Sequence, residues 1–98
     1  MNLEPEPSEL RRLFEELCAI PMPQALATDP ALANLKLEIV DPVVDVLRGK
    51  PFTAAMETKL RKDCERMEAE VIHLTCAASK AYLRKTLDLA EFALRRSM

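Results

Sequence analysis

The chain has 98 residues, room for one small domain that can bury only ~60–65% of its unfolded surface. Hydrophobic residues make up 49% of it, mostly Leu, Ala, Val and Met, with aromatics at 4% and no Trp; this composition suits interlocking helices and not a sheet sandwich. The formal net charge of -2 gives no general attraction to nucleic acid or anionic lipid, and a single glycine cannot build the Gly-rich phosphate loops of nucleotide-dependent enzymes.

The opening "MNLEPEPSEL" is acidic and broken by Pro5 and Pro7, which fits neither a signal nor a transit peptide, and residues 1–7 are expected to be disordered. Three cysteines, an odd number at wide spacing, point to reduced thiols in a cytoplasmic compartment. No apolar run approaches the ~20 residues of a membrane span, so a soluble protein is expected.

Ser8 is placed to cap a first helix over residues 9–20, in which Leu10, Leu13, Phe14, Leu17 and Ile20 form one apolar stripe. Pro21 and Pro23 end it, and "MPQALATD" is too short for more than a turn or a single helical turn. Asp29 then caps a second helix with Pro30 in its first position, where a missing N–H has no consequence.

The stretch "LEIVDPVVDVL" decides whether that second helix survives Pro42. At about 100° per residue, Asn34, Glu38, Asp41, Asp45 and Arg48 fall in one sector roughly 80° wide, and Leu32, Leu35, Ile39, Val43 and Val46 fall opposite. The polar sector crosses Pro42 without a phase jump. One helix over residues 30–48, bent at Pro42 with Asp41 and Asp45 exposed, explains this; the alternative is a separate short helix capped by Asp41. Gly49 follows where a helix C-terminus favours a left-handed residue.

Thr53 caps a third helix, and from Ala54 to Arg96 neither Gly nor Pro interrupts. One helix over residues 54–96 would be ~65 Å long, against a diameter near 33 Å for a compact domain of this length. Its first stripe runs Met56, Leu60, Cys64, Met67, Val71, Leu74, Ala78, Ala81 and Tyr82, is interrupted by Lys85, and resumes with Leu89 and Phe92. From Ile72 a second stripe begins on the other side: Ile72, Cys76, Leu83, Leu87, Ala90 and Leu94. If the earlier helices cover the first stripe, then Ile72, Cys76, Leu83, Leu87 and Leu94 are left as a partner-binding face, which a homodimer or another protein's helix would cover. The competing arrangement is a break near Thr75 to Ser79 that folds the last segment back and makes both stripes core.

Chemistry-bearing groups are sparse. Glu70 and His73 match the Glu-x-x-His spacing of helical di-iron sites, with Cys76 one turn on and Glu38 as a further carboxylate, but Lys59, Lys62, Arg66, Lys80 and Arg84 surround them with charge that opposes a cation. No metal or cofactor is therefore assigned. Cys18, Cys64 and Cys76 lie on or beside apolar stripes and read as buried structural thiols, without the base that a catalytic thiol needs. Lys80, Arg84, Lys85, Arg95 and Arg96 form a late basic cluster interleaved with Asp88 and Glu91, which reads as a solvated face more readily than a nucleic-acid contact.

The sequence thus predicts an all-α protein, a small helical bundle or helical hairpin with a long C-terminal helix completed by self-association. Its expected function is non-enzymatic protein binding, as a small inhibitor, adaptor or assembly factor. The alternatives are a ferritin-like metal-binding protein using Glu70 and His73, and a helical DNA-binding regulator.

Overall fold

The computed structural model describes residues 5–96, which form five α-helices and no strand. They are α1 (Pro5–Ala19), α2 (Gln24–Ala27), α3 (Pro30–Leu47), α4 (Ala54–Ile72) and α5 (Ala77–Arg96). The all-α class is as the composition indicates. α5 lies at the centre, packed against α1, α3 and α4, while α2 is a single turn that seats Leu26 against α3.

α1 begins earlier than expected. Pro5 and Pro7 both fall within its first turn, where backbone N–H groups have no intrahelical acceptor, so neither proline removes a hydrogen bond. Residues 5–7 are therefore helical and Ser8 lies inside the helix, not at its cap; the rest of the expected disordered segment, residues 1–4, lies outside the described residues. Leu10 and Leu17 are buried from this helix, and Arg11 Nη2 donates to the Leu47 carbonyl at 3.2 Å, satisfying one of the free acceptors at the end of α3.

α3 runs from Pro30 to Leu47 with Pro42 inside it. Asp29 caps it by accepting from Leu32 N at 3.2 Å, and Leu32, Leu35, Ile39, Val40 and Val43 are buried. Burial of these side chains on both sides of Pro42, at ~1.5–3 kcal/mol each, outweighs the ~3 kcal/mol an interior proline costs. The helix stops in a Schellman arrangement: Lys50 N donates to Asp45 O at 3.0 Å and Gly49 N to Val46 O at 3.0 Å, with Gly49 at φ 93. Among the described residues only Gly49 has positive φ.

Thr53 then caps α4, its Oγ1 accepting from Met56 N at 3.1 Å. The long helix expected over residues 54–96 is a correction. The chain leaves helical geometry at His73 and re-enters it at Ala77, so α4 and α5 are separate elements joined by His73, Leu74, Thr75 and Cys76. No Gly or Pro marks this reversal; its cause is tertiary. A single helix would have left the second apolar stripe in water, whereas folding back buries Leu83, Leu87 and Leu94 at 7% exposure or less together with Tyr82 and Leu89 from the first. Most of both stripes is core. The result has a radius of gyration of 13.5 Å, and its accessible surface of 6054 Å² is close to the ~5,700 Å² expected of a folded monomer of this mass.

Candidate functional site

Of the residues expected to bind a partner, Leu83, Leu87 and Leu94 are in the hydrophobic core and cannot form a surface. That expectation is corrected for the reason just given: the reversal at His73 to Cys76 turns the second stripe inward. Cys76 is half-buried at the start of α5, and Ile72 alone of the set is well exposed, at 74%. Among the described residues Leu37 on α3 is the other large apolar side chain left in water.

A concave feature lies elsewhere, along the seam between α3 and α4. These helices are antiparallel: Asp29 and Leu32 at the start of α3 lie beside Arg66 and Glu70 near the end of α4, and Asp45 lies beside Met56 at the start of α4. Near the latter end the seam opens into a groove of about 340 Å³, lined by Glu38, Asp41, Pro42, Asp45, Met56 and Lys59.

The groove follows from local sequence. Glu38, Asp41 and Asp45 recur at helical spacing and so project from one side of α3. Three like charges within two turns repel one another by a few tenths of a kcal/mol per pair, and Pro42 among them removes a helical donor. Because residue 42 has no N–H, the Glu38 carbonyl is deprived of its helical partner on the same stretch. Unfavourable local choices are thus concentrated at one place on the surface, where a bound partner can supply what the helix lacks. The Pro42 ring and the Met56 side chain contribute the apolar lining, and α4 brings Met56 here because its side chain folds back over the Thr53 cap, with Sδ 3.5 Å from Thr53 N.

The far wall is fixed by an ion-pair chain. Lys59 Nζ reaches Asp63 Oδ2 on its own helix at 2.8 Å and Glu38 Oε1 across the seam at 3.3 Å. Asp63 is only 5% exposed, so the lysine is held mainly by a buried carboxylate. The Asp63 hydrogen bond, reinforced by Glu38, raises the Lys59 ammonium above its ordinary value. Asp45 has a looser partner in Lys50 at 3.8 Å, and Asp41 makes no ion pair among the described residues. The groove therefore presents an acidic edge, partly compensated at both ends and uncompensated in the middle.

Sequence reasoning placed Asp41 and Asp45 on the solvent side but did not join them to Met56 and Lys59 across the seam. The Lys59 and Asp63 spacing was visible as a surface pair. What it did not disclose was the burial of Asp63, which is only 5% exposed in the folded bundle.

Glu70 and His73 are both exposed, His73 as the residue that ends α4, and among the described residues no group of three or more His, Cys, Asp or Glu is arranged to hold a metal ion. The three cysteines differ sharply. Cys64 is buried, and that burial, with Glu68, Glu91 and Asp63 nearby, pushes its thiol up to about 12. Cys18 is exposed and Cys76 half-exposed, so the reading of all three as buried thiols holds only for Cys64. Among the described residues no helix is long and apolar enough to cross a membrane. Comparison with family models, curated proteins and solved structures gives no match to this chain.

Proposed function

We propose that the protein is a non-enzymatic binding module whose groove between α3 and α4 receives a basic amphipathic helix from a partner protein. The observation that carries this is the pairing of an apolar lining, Pro42 and Met56, with the acidic edge formed by Glu38, Asp41 and Asp45. From Glu38 to Asp45 the edge spans two helical turns, ~10 Å, so lysines or arginines at i, i+3 or i+4, and i+7 of a second helix would face the three carboxylates in turn. An apolar residue between those cations would reach the Pro42 and Met56 surface, the usual arrangement of a helix laid in a groove. The volume, about 340 Å³, falls at the lower end of ligand-binding clefts and suits a few side chains, not a whole domain.

A homodimer through the second apolar stripe, the partner expected from sequence, has lost its physical basis because that stripe is interior. The reading as a small inhibitor, adaptor or assembly factor stays within the present proposal, as does a cytoplasmic setting, which would suit a chain with three free thiols.

The test is fluorescence anisotropy with a labelled amphipathic peptide built only of Leu and Lys in helical phase, and a Leu and Glu counterpart. The Lys peptide is expected to bind at physiological ionic strength, to weaken with added salt, and to lose affinity to Asp41→Lys/Asp45→Lys. Glu65→Lys/Glu68→Lys, on the exposed face of α4, changes net charge equally and should retain binding. Equal loss in both double variants would reduce the effect to net charge and overturn the proposal.

A further inference from the structure

Cys76 occupies a position that neither packing nor the groove explains. Its carbonyl accepts from Lys80 N at 3.0 Å, which makes Cys76 the N-cap of α5, a helix of 20 residues. Its side chain stands where a serine or aspartate oxygen would ordinarily receive the first free N–H groups. The Ser79 hydroxyl foremost, and the Ser79 and Ala78 N–H groups, lie near the sulfur and hold the thiol below its ordinary value.

Ser79 supplies an independent observation. It is 1% exposed, and its Oγ makes no hydrogen bond of good geometry with any protein group. A buried hydroxyl without a good acceptor is unfavourable, and the group it faces is the Cys76 sulfur. A neutral thiol is a weak acceptor; a thiolate is a strong one. The unmet donor and the helix N-terminus therefore favour the same state of the same atom. His73 and Lys80, the ionisable side chains nearest in sequence, are both exposed.

We propose that Cys76 is a thiol-exchange site that forms mixed disulfides with small-molecule disulfides. The Cys76 proton passes to solvent and the thiolate attacks one sulfur of the disulfide; a new S–S bond forms as the old one breaks, and the departing thiolate takes the electron pair and is protonated by solvent. Cys76 is oxidised from thiol to disulfide, and half of the reagent is reduced to thiol. The other cysteines serve as controls within the same molecule. Cys64 is buried, and Cys18 is exposed in the last turn of α1, where the free backbone groups are carbonyls and not N–H donors.

The experiment incubates the native full-length chain with oxidised glutathione, quenches with acid at intervals, and maps adducts by peptide mass spectrometry across a pH series. Cys76 is expected to acquire the adduct before Cys18, with a rate profile whose midpoint lies at lower pH, and Cys64 none while the chain is folded. Ser79→Ala should slow Cys76 near neutrality and leave its rate unchanged at alkaline pH, where the thiol ionises without help; a merely structural role for Ser79 would not produce that split. Because Ser79→Ala deletes a buried hydroxyl that has no good acceptor, the fold should survive, as circular dichroism would show. Should it not, the two midpoints in the unsubstituted protein decide alone. A Cys76 midpoint at or above that of Cys18, or a Ser79→Ala profile identical to the parent's, overturns the proposal.

Discussion

Pro42→Ala puts the sharpest question to this fold. In a helix that runs through residue 42, alanine restores the N–H that the Glu38 carbonyl lacks and removes the ring clash, a gain of ~3 kcal/mol for an interior position. Two losses oppose it. The ring is half-buried, and its methylenes are worth up to ~0.8 kcal/mol each when fully buried, so about 0.8 kcal/mol is forfeited in total. The unfolded chain also gains freedom, at ~0.4–1 kcal/mol. The net is a stabilisation of ~1–2 kcal/mol, which for a domain of this length is a rise of roughly 5–10 °C in Tm. Thermal melts followed by circular dichroism at matched concentration measure it. A lower Tm would mean that Pro42 begins a separate helix, where it is favourable, and the continuous α3 on which the groove depends would be refuted.

The remaining expectations concern the core and its edges. Gly49→Ala should cost about 1 kcal/mol in chemical denaturation, entirely through backbone strain at φ 93, since a Cβ there meets nothing within 4 Å. Lys59→Met strips the charge partner from buried Asp63 and should destabilise by ~1–2 kcal/mol, the exposure of the lysine itself holding the figure below that of a fully buried pair. Leu83→Glu/Leu87→Glu should abolish the helical circular dichroism signal, because both side chains are at most 2% exposed; a soluble and still helical product would show that they face outward. Cys64 ties stability to alkaline pH. Its thiol stays protonated in the fold up to about 12 but ionises near 9.0 when the chain unfolds, so above pH 9.0 the folded state binds more protons and stability falls as pH rises. The limit is ~1.4 kcal/mol per pH unit for one thiol. Denaturation between pH 8 and about 10 should show this decline in the parent and a shallower one in Cys64→Ala, and equal slopes would contradict the burial argument.

Much of the fold was legible wherever a local rule had one consequence. Asp29 with Pro30, Thr53, and Gly49 each mark a helix end by chemistry that leaves little choice. The unbroken polar sector across Pro42 reflected a helix that buries Ile39, Val40 and Val43 on one continuous side. The reversal after Ile72 was not legible in the same way, because nothing between Ala54 and Arg96 forbids helix and the break is imposed by burial of Leu83, Leu87 and Leu94. Two signals did point to it: a helix longer than the domain, and an apolar face that doubles halfway along. Treating the second stripe as an interface, and not as core, placed Leu83, Leu87 and Leu94 at a surface they do not reach. The groove was half legible. Its acidic edge is a pattern within one helix, while Met56 and Lys59 join it only through the antiparallel seam. Likewise the Cys76 cap exists only because the chain turns there, so no periodicity within a continuous helix would disclose it.

The central claim is that partner binding resides in the seam between α3 and α4, and backbone amide chemical-shift mapping tests it most directly. Titrating the Leu and Lys amphipathic peptide into isotope-labelled protein should displace the amides of Glu38, Asp41, Asp45, Met56 and Lys59 together, with saturation at a common Kd and little change along the exposed face that carries Glu65 and Glu68. Shifts that instead gather around Ile72 and Leu37, or that remain scattered among the acidic residues without saturating, would contradict it.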